Sequence, residues 1–237
     1  MKYETIIISD LHLGSKSSRT KDILKFLDSI ECNTLILNGD IIDGWALKRG
    51  SKWKSKDTKV IRKILKMSEK GTKIVWVMGN HDDFLEPFIG LKIDNIQIVD
   101  EFKYVGKNDK KYYIVHGDKL DVFSSKFKLI AKIGSIGYDF AIWLNLIYNK
   151  YREWRGLPYF SLSNILKQNI KKAISFIEDF ENNAIRLSEN KECDVIICGH
   201  IHHPKINEKY MNSGDWCENC SFLVEDFDGN WSALYFH

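Results

Sequence analysis

Thr5-Ile6-Ile7-Ile8-Ser9-Asp10-Leu11-His12-Leu13-Gly14-Ser15 is the stretch on which the reading of this chain turns. A short β-branched apolar run of this kind is a strand buried on both faces, the pattern of a parallel sheet covered by helices. It ends in an acid and an imidazole two residues apart. The arrangement returns four times. The run 34–37 leads into Gly39-Asp40-Ile41-Ile42-Asp43, 73–78 into Gly79-Asn80-His81-Asp82, 112–115 into His116-Gly117-Asp118, and 195–198 into Gly199-His200-Ile201-His202. A single Asp or His after a strand is ordinarily a turn former. Five strands delivering such residues at their carboxyl ends, where sites of open α/β sheets form, point to one shared site.

Between the first runs lie helical patterns. Ile23, Leu24, Leu27 and Ile30 make one stripe, and Val60, Ile61, Ile64 and Leu65 another, closed by Gly71. Strand–helix alternation predicts a parallel-rich α/β core. Further strands are expected at 96–99, 222–224 and 232–236, with Asp228-Gly229 as a hairpin turn. From about residue 206 the chain reads as strand only, which predicts two sheets packed as a sandwich and flanked by helices.

From 121 to 188 no strand signal is present. Leu166, Ile170, Ala173, Ile177, Phe180, Ala184 and Leu187 alternate steps of four and three, so they predict one long helix with a single apolar seam. The segment 127–148 is also helical in pattern, weakened by Gly134 and Gly137, and a turn is expected near Gly156-Leu157-Pro158. The expectation is one domain over 1–237 with a helical lid insertion at about 121–188.

The composition sets limits. A 237-residue chain that is 44% apolar can bury a sizeable core, and a net charge of +3 gives no support for nucleic-acid binding. No run approaches the ~18–20 apolar residues of a membrane span. The first residues enter a strand pattern at once, so the expected location is the cytoplasm or the cytosolic face of a membrane. Cys32, Cys193 and Cys198 lie in or beside apolar runs and read as buried thiols. Cys217 and Cys220 form a CxxC with no second ligand pair to complete a zinc site.

Mixed carboxylate, imidazole and amide groups suit manganese, iron or zinc better than a soft thiolate site would. Two ions ~3.5–4 Å apart can clamp a phosphate and hold a hydroxide nucleophile between them. One carboxylate must bridge them, and Asp40, in its Gly-flanked turn, is the candidate.

Taken in order, ISDLHLGS, NGDIIDGW, GNHDD, HGD and GHIHH resemble the calcineurin-like metallophosphoesterase superfamily. The resemblance implies an α/β sandwich of two mixed sheets and a dinuclear metal hydrolase. It implies Asp10, His12 and His202 on one metal, Asn80, His116 and His200 on the other, and Asp40 shared. Manganese is the metal it suggests, with iron, zinc and magnesium as alternatives. His81 then matches the catalytic histidine, with Asp82 as its orienting partner. Within the superfamily the chain is most similar to the UDP-2,3-diacylglucosamine diphosphatase group of lipid A biosynthesis and its paralogues. The features that carry this are Asp43-Gly44-Trp45, the helical insertion, and Asn212-Ser213-Gly214-Asp215-Trp216. The best-known branch of that group carries Arg at the position of His81, whereas the paralogous branch keeps histidine.

The implied reaction is attack by a metal-bridging hydroxide on UDP-2,3-diacylglucosamine or a similar lipid-linked nucleotide diphosphate, giving UMP and a lipid 1-phosphate. A broader phosphodiesterase or phosphomonoesterase on a soluble substrate is the alternative. A departing phosphate needs little protonation because its second pKa is near ~6. A departing alkoxide needs a donor such as His81.

Nine Lys and Arg against three acids between residues 121 and 172 give that segment +6, among apolar residues that include Trp143. This pattern suits a lid that holds acyl chains and touches an anionic membrane surface. Arg152, Arg155 and Lys167 are the expected phosphate contacts, and Trp143 and Trp216 the expected aromatic substrate contacts. A scaffold that had lost activity would also have lost ligands, and all seven are present.

Overall fold

The computed structural model describes residues 1–120, 148–157 and 162–237, the side chains of 162–173 excepted. The chain forms two compact units, Met1–Lys119 with Ala184–His237, and Leu120–Asn183.

The first unit is a two-sheet sandwich. Its larger sheet runs β12-β11-β1-β2-β3-β5-β4, where β1 is Lys2–Ile8, β2 Glu31–Asn38, β3 Lys73–Val77, β4 Lys92–Ile93, β5 Ile96–Val99, β11 Ser221–Glu225 and β12 Trp231–Tyr235. The four strands β1, β2, β3 and β5 are parallel, while β11 returns antiparallel to β1. The smaller sheet runs β6-β7-β8-β10-β9, with β6 Phe102–Val105, β7 Lys111–Ile114, β8 Val195–Cys198, β9 Lys205–Ile206 and β10 Tyr210–Asn212. Here β7, β8 and β10 are parallel.

The β-branched runs fill both faces of the central strands. Ile7, Ile36, Val75, Val77 and Leu223 meet Tyr112, Ile114, Val195, Ile197 and Met211 between the sheets. Ile6, Ile8, Leu35, Leu37 and Ile74 point the other way. They pack on Ile23, Phe26 and Leu27 of α1 (Thr20–Ser29) and on Val60, Ile64 and Met67 of α3 (Ser55–Glu69). Each such side chain contributes roughly 1.5–3 kcal/mol by leaving water. Because side chains alternate along a strand, the central strands must be apolar throughout, and this is why they read as continuous runs.

The C-terminal hairpin expected at Asp228-Gly229 is β11–β12, and it extends the larger sheet on the far side of β1. Val60 and Ile64 of the predicted α3 stripe are buried and Ile61 is partly so, but Leu65 is exposed and Met67 is buried instead. A short helix, α2 (Gly44–Lys48), follows Asp43, whose carboxylate caps it by accepting the Ala46 N–H.

In the second unit the stretch 148–154 is helical, and α4 (Leu162–Asn190) begins there and runs on into the first unit. No helix among the described residues is long and apolar enough to cross a membrane.

Candidate metal centre

The carboxyl ends of β1, β2, β3, β7 and β8 lead into loops that are sewn to one another by backbone. The N–H groups of Asp10, His12 and Leu13 donate to the carbonyls of Gly39, Asp40 and Ile41, and Asp43 N–H donates back to Leu13. Gly199 N–H donates to His116, Ser213 N–H to Cys198, and Trp216 N–H to Asp10. The fit is tight enough to exclude a Cβ. One built on Gly79 would stand 2.4 Å from the Asp40 nitrogen, and one on Gly39 (φ 82°) would lie 2.3 Å from the His116 ring. Five of the seven expected ligand residues occupy the left-handed backbone region: Asp10, His12, Asp40, His200 and His202, with φ between 47° and 66°. That conformation is uncommon for residues other than glycine and is stored where surrounding structure enforces it, most often at functional sites.

The loops gather the sequence-predicted residues into adjoining groups whose donor atoms lie within 4.8 Å of one another: Asp10, His12 and His202 in one, Asp40, His116 and His200 in another. Asp40 sits between them. Its Oδ2 is 3.3 Å from His116 Nε2 and 3.8 Å from His12 Nε2, while its Oδ1 accepts the His81 N–H at 2.8 Å. Asp10 Oδ1 lies 3.0 Å from His202 Nε2, and its Oδ2 accepts the His200 N–H at 2.9 Å.

The donor set fits a cation on an internal observation. His116 Nδ1 is 2.9 Å from the Asn38 carbonyl, so that nitrogen carries the hydrogen. His116 Nε2 then presents a lone pair to Asp40 Oδ2, and neither atom has a hydrogen-bond partner although both are buried. The buried Asn80 Oδ1 also lacks one. Facing acceptors in a dry pocket require a proton or a metal ion between them. In the metal-free protein the carboxylates hold a proton there. Burial opposes it, but Asp40 outweighs burial and raises the His116 pKa to about 10. Burial likewise raises the Asp10 and Asp40 pKa values, and the surrounding histidines more than reverse this, so both carboxyls sit well below the usual carboxylate range.

The rim differs from expectation. His81 is partnered by Asp43, with Nδ1 to Oδ1 at 2.9 Å, and not by Asp82. Asp82 is buried and its two oxygens accept the Ile41 and Ile42 N–H groups, so it shapes the loop that carries Asp40. Burial and the nearby Asp40 charge push its pKa up to about 7. Asp43 also reaches His12 Nδ1 at 3.5 Å, so one carboxylate serves two imidazoles. Trp45, on α2, lays its indole on His81 with centroids 4.4 Å apart, and its Nε1 donates to Asp83. The sequence signal for Asp43 and Trp45 was the Asp-Gly-Trp itself, which carries no indication of what it touches.

Trp216 is not a substrate contact. Its ring is fully buried against Phe26, Phe222 and Phe236, and only its backbone serves the site by donating to Asp10. Cys217 and Cys220 are free thiols, as are the other three cysteines. Arg152 stacks on Tyr148 and Arg155 is exposed, both in the second unit. Trp143 and the side chain of Lys167 lie outside the described residues.

Comparison with known proteins agrees with this geometry. The calcineurin-like phosphoesterase family matches residues 4–204. A UDP-2,3-diacylglucosamine hydrolase of Wigglesworthia glossinidia brevipalpis is 25% identical over 92% of this chain and 89% of its own length. One from Vibrio atlanticus is 25% identical over 93% of both chains. A crystal structure of a Vps29 mutant from Entamoeba histolytica covers 98% of this chain and 99% of its own at 10% identity, with a TM-score of 0.44, too loose a likeness to bear on function. The match over residues 4–204, which takes in every strand-end motif of the centre up to His202, makes this chain a member of the calcineurin-like phosphoesterase family and a metal-dependent hydrolase.

Proposed function

We propose that Asp10, His12, Asp40, Asn80, His116, His200 and His202 hold two divalent cations, Asp40 between them, and that the protein hydrolyses a lipid-linked nucleotide diphosphate. The proposed substrate is UDP-2,3-diacylglucosamine or a close analogue, and the products are UMP and a lipid 1-phosphate. The observation that carries the dinuclear reading is the facing pair of acceptors, His116 Nε2 and Asp40 Oδ2, with a second ligand group on the other side of Asp40. The substrate reading rests on the relatives named for that lipid nucleotide.

Bound divalent ions supply positive charge for the phosphoryl oxygens and a source of nucleophilic water near neutral pH. The remaining chemistry belongs to the chain. Asp43 fixes the His81 tautomer, with the hydrogen on Nδ1 and Nε2 turned toward Asp40 at 3.9 Å. When protonated, His81 Nε2 donates to an oxygen of the phosphoryl group or to the departing oxygen. The indole of Trp45 restricts the ring's rotation and shields it from water on one face. Asp82 holds the Asp40 loop. Manganese is the proposed metal, since carboxylate, imidazole and amide ligands suit it, with iron, zinc and magnesium as alternatives. The second unit is proposed to act as a lid that carries the acyl chains, with Arg152, Arg155 and Lys167 toward the phosphates.

The test is metal analysis of the purified protein combined with mass spectrometry of products from the lipid nucleotide and from aryl phosphates. Two equivalents of metal and release of UMP support the reading. Turnover of aryl esters alone favours the alternative, a phosphodiesterase or phosphomonoesterase of soluble substrates, which the retained His81 also permits.

A further inference from the structure

A cavity of about 400 Å³ has Asn80, the amide among the seven expected ligands, in its wall. It lies within the first unit, between the loop after β3, the turn segment Asn80–Phe88 and the residues that follow β5 and β7. Trp45 of α2 and Ile89 supply apolar surface. The cavity thus starts at the metal centre and leads away from it.

Its lining is acidic. Asp83, Glu86, Asp100 and Asp118 bring four carboxylates against the single ammonium of Lys119. Two of the four are occupied: Asp83 accepts from the Trp45 indole and from Lys48, and Asp100 pairs with Lys119. Glu86 and Asp118 pair with no lysine or arginine among the described residues. Trp45 is 38% exposed even though its ring also lies on His81. Because Asp83 holds the indole by its Nε1, the exposed part of that ring is a fixed surface.

We propose that this cavity receives the nucleoside of the substrate, with the base against the Trp45 indole and the ribose diol donating to Glu86 and Asp118. An acyl chain here would strip water from carboxylates and return no hydrogen bond. A further phosphate would meet an excess of like charge. A nucleoside supplies what the lining lacks. Its base offers a π face to an aromatic ring, and a ribose diol is a donor that carboxylates bind in other nucleotide sites. The volume lies near the lower end of small-ligand pockets, roughly 300–1,000 Å³, and suits one nucleoside better than a pair of acyl chains. With Asn80 in the wall, a phosphate carried by that nucleoside is delivered to the metal centre. The inference deepens the lipid-nucleotide reading and rests on it for a substrate that carries a nucleoside.

The experiment is saturation-transfer NMR of the metal-loaded full chain with uridine, which has no phosphate for the metal ions to capture. Transfer to the uracil and ribose protons is expected. Dideoxyuridine, without the ribose diol, should bind about 10-fold more weakly. Ile89→Trp should fill the cavity and abolish the transfer, and Glu86→Gln should weaken it several-fold, with melting curves to verify folding. In steady-state assays of Ile89→Trp, KM for the p-nitrophenyl ester of UMP should rise about 10-fold more than KM for bis(p-nitrophenyl) phosphate. Absence of transfer to uridine, equal transfer to its dideoxy form, or equal changes in the two KM values overturns the proposal. So does displacement of uridine by spermidine, which would assign the carboxylates to a polyamine. Uridine binding without release of UMP from the lipid nucleotide would sink the substrate reading and leave the nucleoside site standing. Hydrolysis of that lipid without uridine binding would do the reverse.

Discussion

The two sides of the metal centre are built on different principles. Around His116 the site is sealed: the ring is fully buried, its Nδ1 is tied to a backbone carbonyl, and Asp40 beside it is equally buried. Around His12 and His202 the imidazoles are oriented by side-chain carboxylates, Asp10 and Asp43, and His202 and His81 are about one-fifth exposed (22% and 20%). A ligand anchored by backbone is aimed by the fold and stays aimed whatever the charge around it. A ligand anchored by a carboxylate depends on charge balance and on the loop that carries the acid. The His116 side is thus held by the fold, and His202 and His81 are the imidazoles that reach solvent.

The largest expected effect tests what the sides share. Asp40→Asn removes the carboxylate whose Oδ2 faces both His116 and His12, and should lower turnover by upwards of about 1,000-fold while halving bound metal or worse. Retention of two metals and full turnover would break the comparison. His81→Ala acts on the open side alone. Metal content should remain, and turnover should fall about 100-fold on esters with alkoxide leaving groups but much less on a diphosphate, which assay of the two substrate classes reads directly. Asp43→Asn should cost about 10- to 100-fold in turnover and loosen metal on the His12 side before the His116 side, seen as loss of one equivalent under mild chelation. Trp216→Ala leaves every ligand in place but empties the cluster behind Asp10. A denaturant melt should show a loss of about 3 kcal/mol in both loaded and metal-free protein.

The smallest effect concerns pH. In the metal-free protein His116 has its folded pKa raised to about 10, above the ordinary histidine value of 6.5. Its contribution to stability is therefore complete below about 6.5 and declines as pH rises toward 10. Chelated protein should lose melting temperature across that interval, and metal-loaded protein should lose less because an ion replaces the proton. Parallel curves for the two forms would show that the facing acceptors do not share one cation site.

Much of this is legible in the sequence alone. The runs before Asp10, Asp40, Asn80, His116 and His200 are apolar at every position because their strands are covered on both faces, and such strands must be parallel and crossed by helices. Ligand-type residues placed at five strand ends are gathered by that topology alone. The partner of His81 was not legible. Asp82 is adjacent to it in sequence, but a neighbouring residue in a tight turn points elsewhere, and Asp82 is consumed by the Ile41 and Ile42 N–H groups. The role of Trp216 is hidden from the sequence for a related reason. Its place beside Asp215 in a motif says that its backbone is near the centre, and only packing shows that the ring turns into the core with Phe26 and Phe222.

Sequence by itself determined the central strands, the helices between them and which side chains meet at the strand ends, because local apolar pattern and residue chemistry are carried by near neighbours along the chain. Tertiary structure alone decided which carboxylate meets which imidazole, which tryptophan covers the site and which fills the core, and which acids leave the surface. Those outcomes depend on side-chain direction at contacts such as Asp43 with His81 or Trp216 with Phe222, between residues on separate elements, and no local spacing encodes them.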